Sequence, residues 1–187
     1  MYIKKCDTPQ DSTEVILTAK ELVERSHNVL DKWGVFLRFY VIPNMTRENA
    51  LSVTNLVLEE LSNIDCYVTM PVSLEQYFGR SARISYEDYD SIKDVDMVIS
   101  IGGDGSFINA AKIATEYNKP LVCINAGKLA YLACMEGNEI NLLSKVVSGD
   151  YITEKRMMLD VYVVDDNETV LYHSNCINDA VVSRSGR

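Results

Sequence analysis

The sequence predicts an α/β fold in which a parallel sheet is followed by a run of consecutive strands. Residues 95–125 read as strand, glycine-rich turn, helix and strand, which is the order of a right-handed crossover unit. Apart from Asp96 and Ser100, the strand at 95–101 is apolar, as is typical of strands buried on both faces of a parallel sheet. After about residue 150 the alternation of helix and strand ends, and strand-like segments follow one another.

The first element is an amphipathic helix at residues 11–33. Asp11 and Glu14 have the spacing of a capping box, and apolar residues recur at helical intervals after them. Gly34 ends the pattern. We therefore expect residues 1–34 to form a helical extension in front of the sheet.

The next segment, residues 35–152, is expected to be one α/β domain. Apolar, β-branched and aromatic runs predict strands at residues 35–42, 66–70, 95–101 and 121–124. Amphipathic spacing predicts helices at residues 46–61, 106–117 and 139–148. Gly149 is the expected cap of the last helix. Residues 71–93 are acidic, rich in tyrosine and irregular. The order of these elements is that of a parallel, Rossmann-like sheet.

The last segment, residues 153–187, predicts the first strands of a β-rich domain. Residues 156–164 and 169–174 are strand-like and flank an Asp-Asp-Asn-Glu turn, which indicates a hairpin. A third strand is expected at residues 176–183.

Composition excludes several classes of protein. The net charge of −9 argues against a nucleic-acid partner, because phosphate contacts need a basic surface. The sequence contains no apolar run of membrane-spanning length and no signal peptide, which indicates a cytoplasmic protein without membrane partners. The five cysteines are widely spaced and the two histidines stand alone, so no disulfide framework and no protein metal site are predicted.

The most informative residues form the turn after the third strand of the domain, namely Gly102, Gly103, Asp104, Gly105 and Ser106. Glycines there can adopt backbone angles closed to other residues and let a ligand approach the main chain, and the following helix would point N–H groups at phosphate. An aspartate opposes phosphate unless it orients or deprotonates an attacking hydroxyl. The alternative is a purely structural turn in which Asp104 caps the helix.

A second loop, at residues 125–129, follows the neighbouring strand and is expected at the same edge of the sheet, where open α/β sheets bind ligands. Asn125, Gly127 and Lys128 are its candidate binding residues. Lys128 would place a cation beside phosphate, or it is simply solvated. Tyr131, further along, is expected to pack against the sheet.

Asn178 and Asp179 interrupt an apolar, strand-like run near the C-terminus. Polar residues in such a run need partners. They either bind a ligand or form a turn between two strands.

Together, three motifs resemble those of the NAD kinase family: Gly-Gly-Asp-Gly at 102–105, Asn-x-Gly-x-Leu-x-Tyr-Leu at 125–132, and Asn-Asp-x-Val-Val at 178–182. The order of the motifs is more specific than any one of them, and the resemblance covers about residues 36–187. Ser106 stands where the family commonly has threonine. Ala130 and Tyr131 replace its usual Gly-Phe.

The resemblance implies transfer of the γ-phosphoryl group of ATP to the 2′-hydroxyl of the adenosine ribose of NAD, giving NADP. The resemblance implies that Asp104 activates that hydroxyl and that the glycine loop binds phosphates. It also implies that Asn178 and Asp179 bind the adenosine part of NAD. Magnesium (Mg²⁺) would arrive with the nucleotide. Family members continue into a β-rich domain that completes the NAD site and builds homo-oligomers, so this chain is expected to be a truncated version.

Two other functions are compatible with the sequence. A lipid kinase acting on diacylglycerol or a sphingoid base also uses a Gly-Gly-Asp-Gly loop, although the motifs at Asn125 and Asn178 favour NAD. A module that binds NAD or NADP without catalysis is the other alternative.

Overall fold

The computed structural model of the chain describes residues 2–4, 36–177 and 180–181. The chain divides into two compact units, one comprising Val15–Glu154 and the other comprising Met1–Glu14 with Lys155–Arg187. This division differs by two residues from the boundary expected after residue 152. The predicted helix at 11–33 lies outside the described residues. The described part of residues 1–34 is a short strand, β1 (Tyr2–Lys4), which sequence reasoning did not anticipate.

The larger unit contains a parallel sheet of six strands among the residues described. They are β2 (Arg38–Pro43), β3 (Tyr67–Met70), β4 (Ile84–Tyr86), β5 (Met97–Gly102), β6 (Leu121–Asn125) and β7 (Met135–Glu136). Their order across the sheet is β4-β3-β2-β5-β6-β7, and every pairing is parallel. The predicted α/β fold is thereby confirmed. The edge strands β4 and β7 were not predicted, since they are only three and two residues long.

The helices of this unit are α1 (Ala50–Asn63), α2 (Glu75–Phe78), α3 (Asp104–Glu116) and α4 (Leu143–Val147), with 3-10 turns at Val72–Leu74, Tyr89–Asp94 and Ile140–Leu142. Helix α1 starts later than expected because the amide of Arg47 bonds to the carbonyl of Asn44 and makes a turn there. Gly149 follows α4 with φ of +77°, the conformation of a helix-ending glycine. In the described segments, no helix combines the length and apolar character needed to cross a bilayer.

Helices α1 and α3 pack on opposite faces of the parallel sheet. Helix α1 packs Val57 and Leu61 on the face that carries Ile99. Helix α3 packs Ala114 against Val98 on the opposite face. Helix α1 follows β2 and helix α3 follows β5, so the helices that follow these two adjacent strands lie on opposite faces of the sheet. The strand order also reverses between β2 and β5, so their carboxyl ends form the topological switch point at which open α/β sheets bind ligands.

The smaller unit contains an antiparallel sheet in the order β1-β8-β9, with β8 (Met158–Val164) and β9 (Val170–Ile177) joined as a hairpin. The predicted hairpin is confirmed. The expected break at residue 175 is wrong, because Asn175 pairs with Asp160 inside the ladder and β9 continues to Ile177. The rest of the predicted third strand lies mostly outside the described residues.

A polar cluster lies across this hairpin. The hydroxyl of Tyr162 donates to Oδ2 of Asp160 at 2.5 Å, and Nε2 of His173 contacts Oδ1 of the same carboxylate. The rings of Tyr162 and His173 stack with centroids 4.4 Å apart. The hydrogen bond from Tyr162, with the neighbouring His173 adding to it, lowers the pKa of Asp160 below its usual 3.8.

Asp160→Asn is therefore expected to lower the free energy of unfolding at pH 7, by up to about 1 kcal/mol. Because the folded-state pKa is depressed, the carboxylate stabilises the fold above its unfolded pKa near 3.8, and this contribution is lost as pH falls through the lower folded value. Urea unfolding from pH 7 down to pH 3 measures the difference, with Asp166→Asn in the adjacent turn as the control. A difference that does not change with pH would contradict the assignment.

Candidate functional site

The glycine turn joins β5 to α3 at the carboxyl edge of the sheet. Gly102 is the last residue of β5 and Asp104 the first of α3. The carbonyl of Gly103 accepts the amides of Ser106 at 2.9 Å and Phe107 at 3.1 Å. The helix consequently starts two residues before the predicted position, and its N-terminus faces the same edge as the turn.

The three glycines of the turn are there for different reasons. A Cβ on Gly102 would lie 2.2 Å from Oγ and 2.6 Å from Cβ of Ser106, so only glycine fits. Around Gly105 nothing lies within 4 Å of the Cβ position, and Gly103 has an extended backbone with φ of −124°. None of the three has a positive φ. The expectation that the turn exploits backbone angles closed to other residues is wrong. The expectation of an accessible main chain fits Gly105, which is exposed, but not Gly103, which is buried.

Asp104 is half-buried at the start of α3 and is held from across the site. Its Oδ1 accepts the backbone amide of Leu132 at 2.9 Å. The helix is capped at Gly103 without a side-chain hydrogen bond, so the alternative in which Asp104 caps the helix is wrong. Within the described segments, its Oδ2 has no hydrogen-bond partner. One oxygen thus fixes the carboxylate, and the other is available to a ligand.

The second loop meets the glycine turn directly. Asn125 lies beside Gly102 in the β5–β6 register, and the amide of Ala126 donates to the carbonyl of Gly102 at 2.8 Å. The side chain of Asn125 is buried, accepting the amide of Gly127 on Oδ1 and donating from Nδ2 to Glu136, both at 2.8 Å. In this arrangement Asn125 shapes the loop instead of presenting its amide to a ligand, and Glu136 supports it.

Two side chains further along this loop face solvent. Lys128 is exposed and carries the loop's positive charge. Tyr131 is 82% exposed, so the expectation that it packs against the sheet is wrong. The bond from Leu132 to Asp104 holds this segment at the sheet edge, which leaves the tyrosine ring pointing away from the core.

Sequence reasoning missed two residues after β2. The amide of Asn44 donates to the carbonyl of Ile101 at 2.8 Å, and its side-chain Nδ2 donates to Oγ of Ser106 at 2.9 Å. Arg47 places Nη2 3.7 Å from the Cβ position of Gly103. The sheet-edge argument that selected the loop at residues 125–129 would have found both, had it been applied to the strand at 35–42.

Other chemistry at this edge is limited. Desolvation by burial, with Cys134 and Asp104 adding, raises the pKa of the Cys123 thiol to about 12, so it is a neutral packing group. Over the described ranges, no group of three or more His, Cys, Asp or Glu side chains comes together to hold a metal ion. Asn178 and Asp179, expected to bind the adenosine part of NAD, lie outside the described residues.

The curated proteins to which this chain is similar in sequence include NAD kinases of several bacteria. The chain is 31% identical over 152 residues to an NAD kinase of Thermoanaerobacter sp. (strain X514), covering 77% of this chain and 50% of that protein. It is 33% identical over 154 residues to an NAD kinase of Lachnoclostridium phytofermentans, covering 80% and 51% of the two chains. The chain thus spans about half the length of the curated relatives it matches.

A solved structure has a similar fold. A crystal structure of yeast NADH kinase complexed with NADH superposes with a TM-score of 0.63 at 12% identity, covering 92% of this chain and 52% of that one. The family profile described as the ATP-NAD kinase N-terminal domain matches residues 39–151, which include the glycine turn and all of the described parallel sheet except Arg38. The chain therefore belongs to the ATP-NAD kinase family.

Proposed function

We propose that this chain takes part in the NAD kinase reaction, in which the γ-phosphoryl group of ATP is transferred to the 2′-hydroxyl of the adenosine ribose of NAD to give NADP. The observation that carries the proposal is the placement of Asp104. One carboxylate oxygen is fixed by the amide of Leu132, and the residue stands at the helix N-terminus next to the exposed Gly105. A hydroxyl and a phosphate can therefore meet at this point.

The chemistry is a substitution at phosphorus. The bond between the γ-phosphorus and the ribose O2′ forms, and the bond from the γ-phosphorus to the oxygen bridging it to the β-phosphate breaks. The proton of the 2′-hydroxyl passes to the carboxylate of Asp104. Because the transition state of phosphoryl transfer is loose, orienting the hydroxyl matters more than removing its proton early. The bond to Leu132 supplies that orientation by fixing the carboxylate plane.

The phosphates would be bound by main-chain and cationic groups. The N-terminus of α3, with the exposed Gly105 in its first turn, suits anions. With no preformed ligand cluster among the described residues, we infer that Mg²⁺ would arrive with the triphosphate donor and would offset negative charge during transfer. As the family resemblance implies, we also propose a cytoplasmic homo-oligomer.

Formation of NADP by the purified chain from NAD and Mg²⁺-ATP tests the proposal. A coupled assay specific for NADP would be run in parallel with phosphorylation of diacylglycerol. NADP formation without lipid phosphorylation supports the NAD kinase assignment. Lipid phosphorylation alone would reassign the chain to the lipid kinases, and binding of NAD without either product would make it a binding module.

Asn178→Ala combined with Asp179→Ala is expected to weaken NAD binding more than ATP binding, because the pair is proposed to hold the adenosine part of the acceptor. Each lost hydrogen bond should cost about 1 kcal/mol, or about fivefold in affinity. Calorimetric titration with both ligands measures this, with Asp166→Ala and Asn167→Ala in the exposed turn as the matched pair. Equal weakening for both ligands would contradict the assignment.

A further inference from the structure

The loop after β2 borders the glycine turn at the switch point of the sheet. Pro43 of β2 pairs with Ile101 of β5, and the amide of Asn44 extends this ladder by one hydrogen bond of 2.8 Å to the carbonyl of Ile101. Helices α1 and α3 then leave toward opposite faces. The two loops are therefore the walls of one crevice at the carboxyl edge.

Asn44 fixes the geometry of this crevice. Its Nδ2 donates to Oγ of Ser106 at 2.9 Å, which joins the β2 loop to the first turn of α3. Its Oδ1 accepts both the amide of Thr46, at 3.1 Å, and the hydroxyl of Thr46, at 2.7 Å. Its carbonyl accepts the amide of Arg47 at 3.0 Å. Asn44 thus sets the direction in which Arg47 leaves the backbone.

Arg47 extends over the glycine turn. Its Nη2 lies 3.7 Å from the Cβ position of Gly103 and, chain neighbours aside, is the one heavy atom of the described residues within 4 Å of that position. The residue is exposed, and in the described part of the chain its guanidinium forms no ion pair. A charged donor group therefore lies over the buried Gly103, in a turn whose Gly105 is exposed.

We propose that Arg47 binds the phosphate chain of the triphosphate donor, held in place by Asn44. This inference rests on the reaction proposed above and adds a specificity-determining residue to it. The guanidinium presents paired N–H donors that match phosphate oxygens, and it offsets the negative charge that Asp104 brings to the turn. Asp104 is tied to the β6 side through Leu132, whereas Arg47 approaches from the β2 side. The two residues thus divide the turn into an acceptor flank and a donor flank.

The test compares Arg47→Gln, Arg47→Lys and Arg38→Gln in the full chain. Arg38 is exposed at the opposite, amino end of β2 and supplies the same change of charge away from the crevice. Affinities for Mg²⁺-ATP, inorganic tripolyphosphate and NAD are measured by calorimetry. Arg47→Gln should weaken ATP and tripolyphosphate binding by about 10-fold or more, because a hydrogen bond to a charged group is lost. NAD binding should not change, Arg47→Lys should restore part of the affinity, and Arg38→Gln should match the parent.

Any other pattern of affinities among these variants overturns the inference. An Arg47→Gln chain with parental affinity for tripolyphosphate, an equal loss for NAD, an equal loss in Arg38→Gln, or a parent that does not bind tripolyphosphate each exclude a donor role for Arg47. The proposed function is judged separately by NADP formation. If Arg47 controls triphosphate affinity but the chain forms no NADP, the phosphate site stands and the reaction assignment fails. If NADP forms and Arg47→Gln has no effect on ATP affinity, the reaction assignment stands and the phosphate site at Arg47 is excluded.

Discussion

Asp104→Asn is expected to lower the rate of NADP formation by about 10²–10⁴-fold, the usual contribution of a positioned general base. The amide is nearly isosteric with the carboxylate, and its oxygen can still accept the amide of Leu132, so the glycine turn and α3 should keep their positions. What is lost is the negative charge that orients the ribose hydroxyl and receives its proton. The effect should therefore appear in turnover, with little change in the affinity for either substrate.

The measurement is steady-state NADP formation together with calorimetric binding of ATP and NAD. Asp150→Asn is the matched control, because it removes a carboxylate from an exposed site whose neighbour is Lys145, at 3.8 Å. The assignment of Asp104 is excluded if Asp104→Asn forms NADP at the parental rate. A parallel fall in folding stability would instead show that its carboxylate serves mainly to hold the loop at Leu132.

Gly102→Ala should have the largest effect on the fold, lowering the free energy of unfolding by about 1–3 kcal/mol, as expected for overpacking of a tight core. The added methyl would lie 2.6 Å from Cβ of Ser106 and 3.2 Å from Cβ of Asn44. No rotation of the serine hydroxyl relieves the first contact, so the start of α3 must move away from β5. Triphosphate affinity should fall as well, because moving the start of α3 also displaces Ser106 from its hydrogen bond with the side chain of Asn44.

Gly105→Ala is the control for this prediction. Nothing lies within 4 Å of its Cβ position, and the residue is in the first turn of α3. Alanine there should leave stability unchanged or raise it by up to about 1 kcal/mol, because glycine is the poorer helix former. Urea unfolding of both variants compares them. Equal stability of the two would show that β5 and α3 separate without cost, contrary to the contacts at Gly102.

The parts of the fold that could be predicted are those encoded by local pattern. The unit from β5 to β6 was predicted because an apolar run, a glycine turn and an amphipathic helix follow one another within 30 residues. Strands β4 and β7 were missed because they exist through pairing with β3 and β6, and their own sequences are short and half polar. The same reason explains β9, in which Asn175 is stabilised by its cross-strand partner.

The site was predictable to the same extent. Asp104 and its glycines carry a local signature, and their meeting with the loop at Asn125 followed from the rule that parallel strands end at one edge. The same rule places Arg47 at this edge, but its closeness to Gly103 depends on β2 lying next to β5, which the sequence does not specify. Likewise, the direction of Tyr131 depends on the hydrogen bond from the amide of Leu132 to the carboxylate of Asp104, which the spacing of residues does not predict.

The central pairing of the sheet has a consequence for the kinetics of folding. Strands β2 and β5 are neighbours, yet Arg38 and Asp96 at their beginnings are 58 positions apart in the chain. A loop of that length must close before the pairing gains any free energy, and parallel sheets built from such distant contacts fold slowly, in milliseconds to seconds. The crevice between the Asn44 loop and the glycine turn is created by the same docking event. During synthesis, the donor flank therefore cannot exist until the ribosome has released β5.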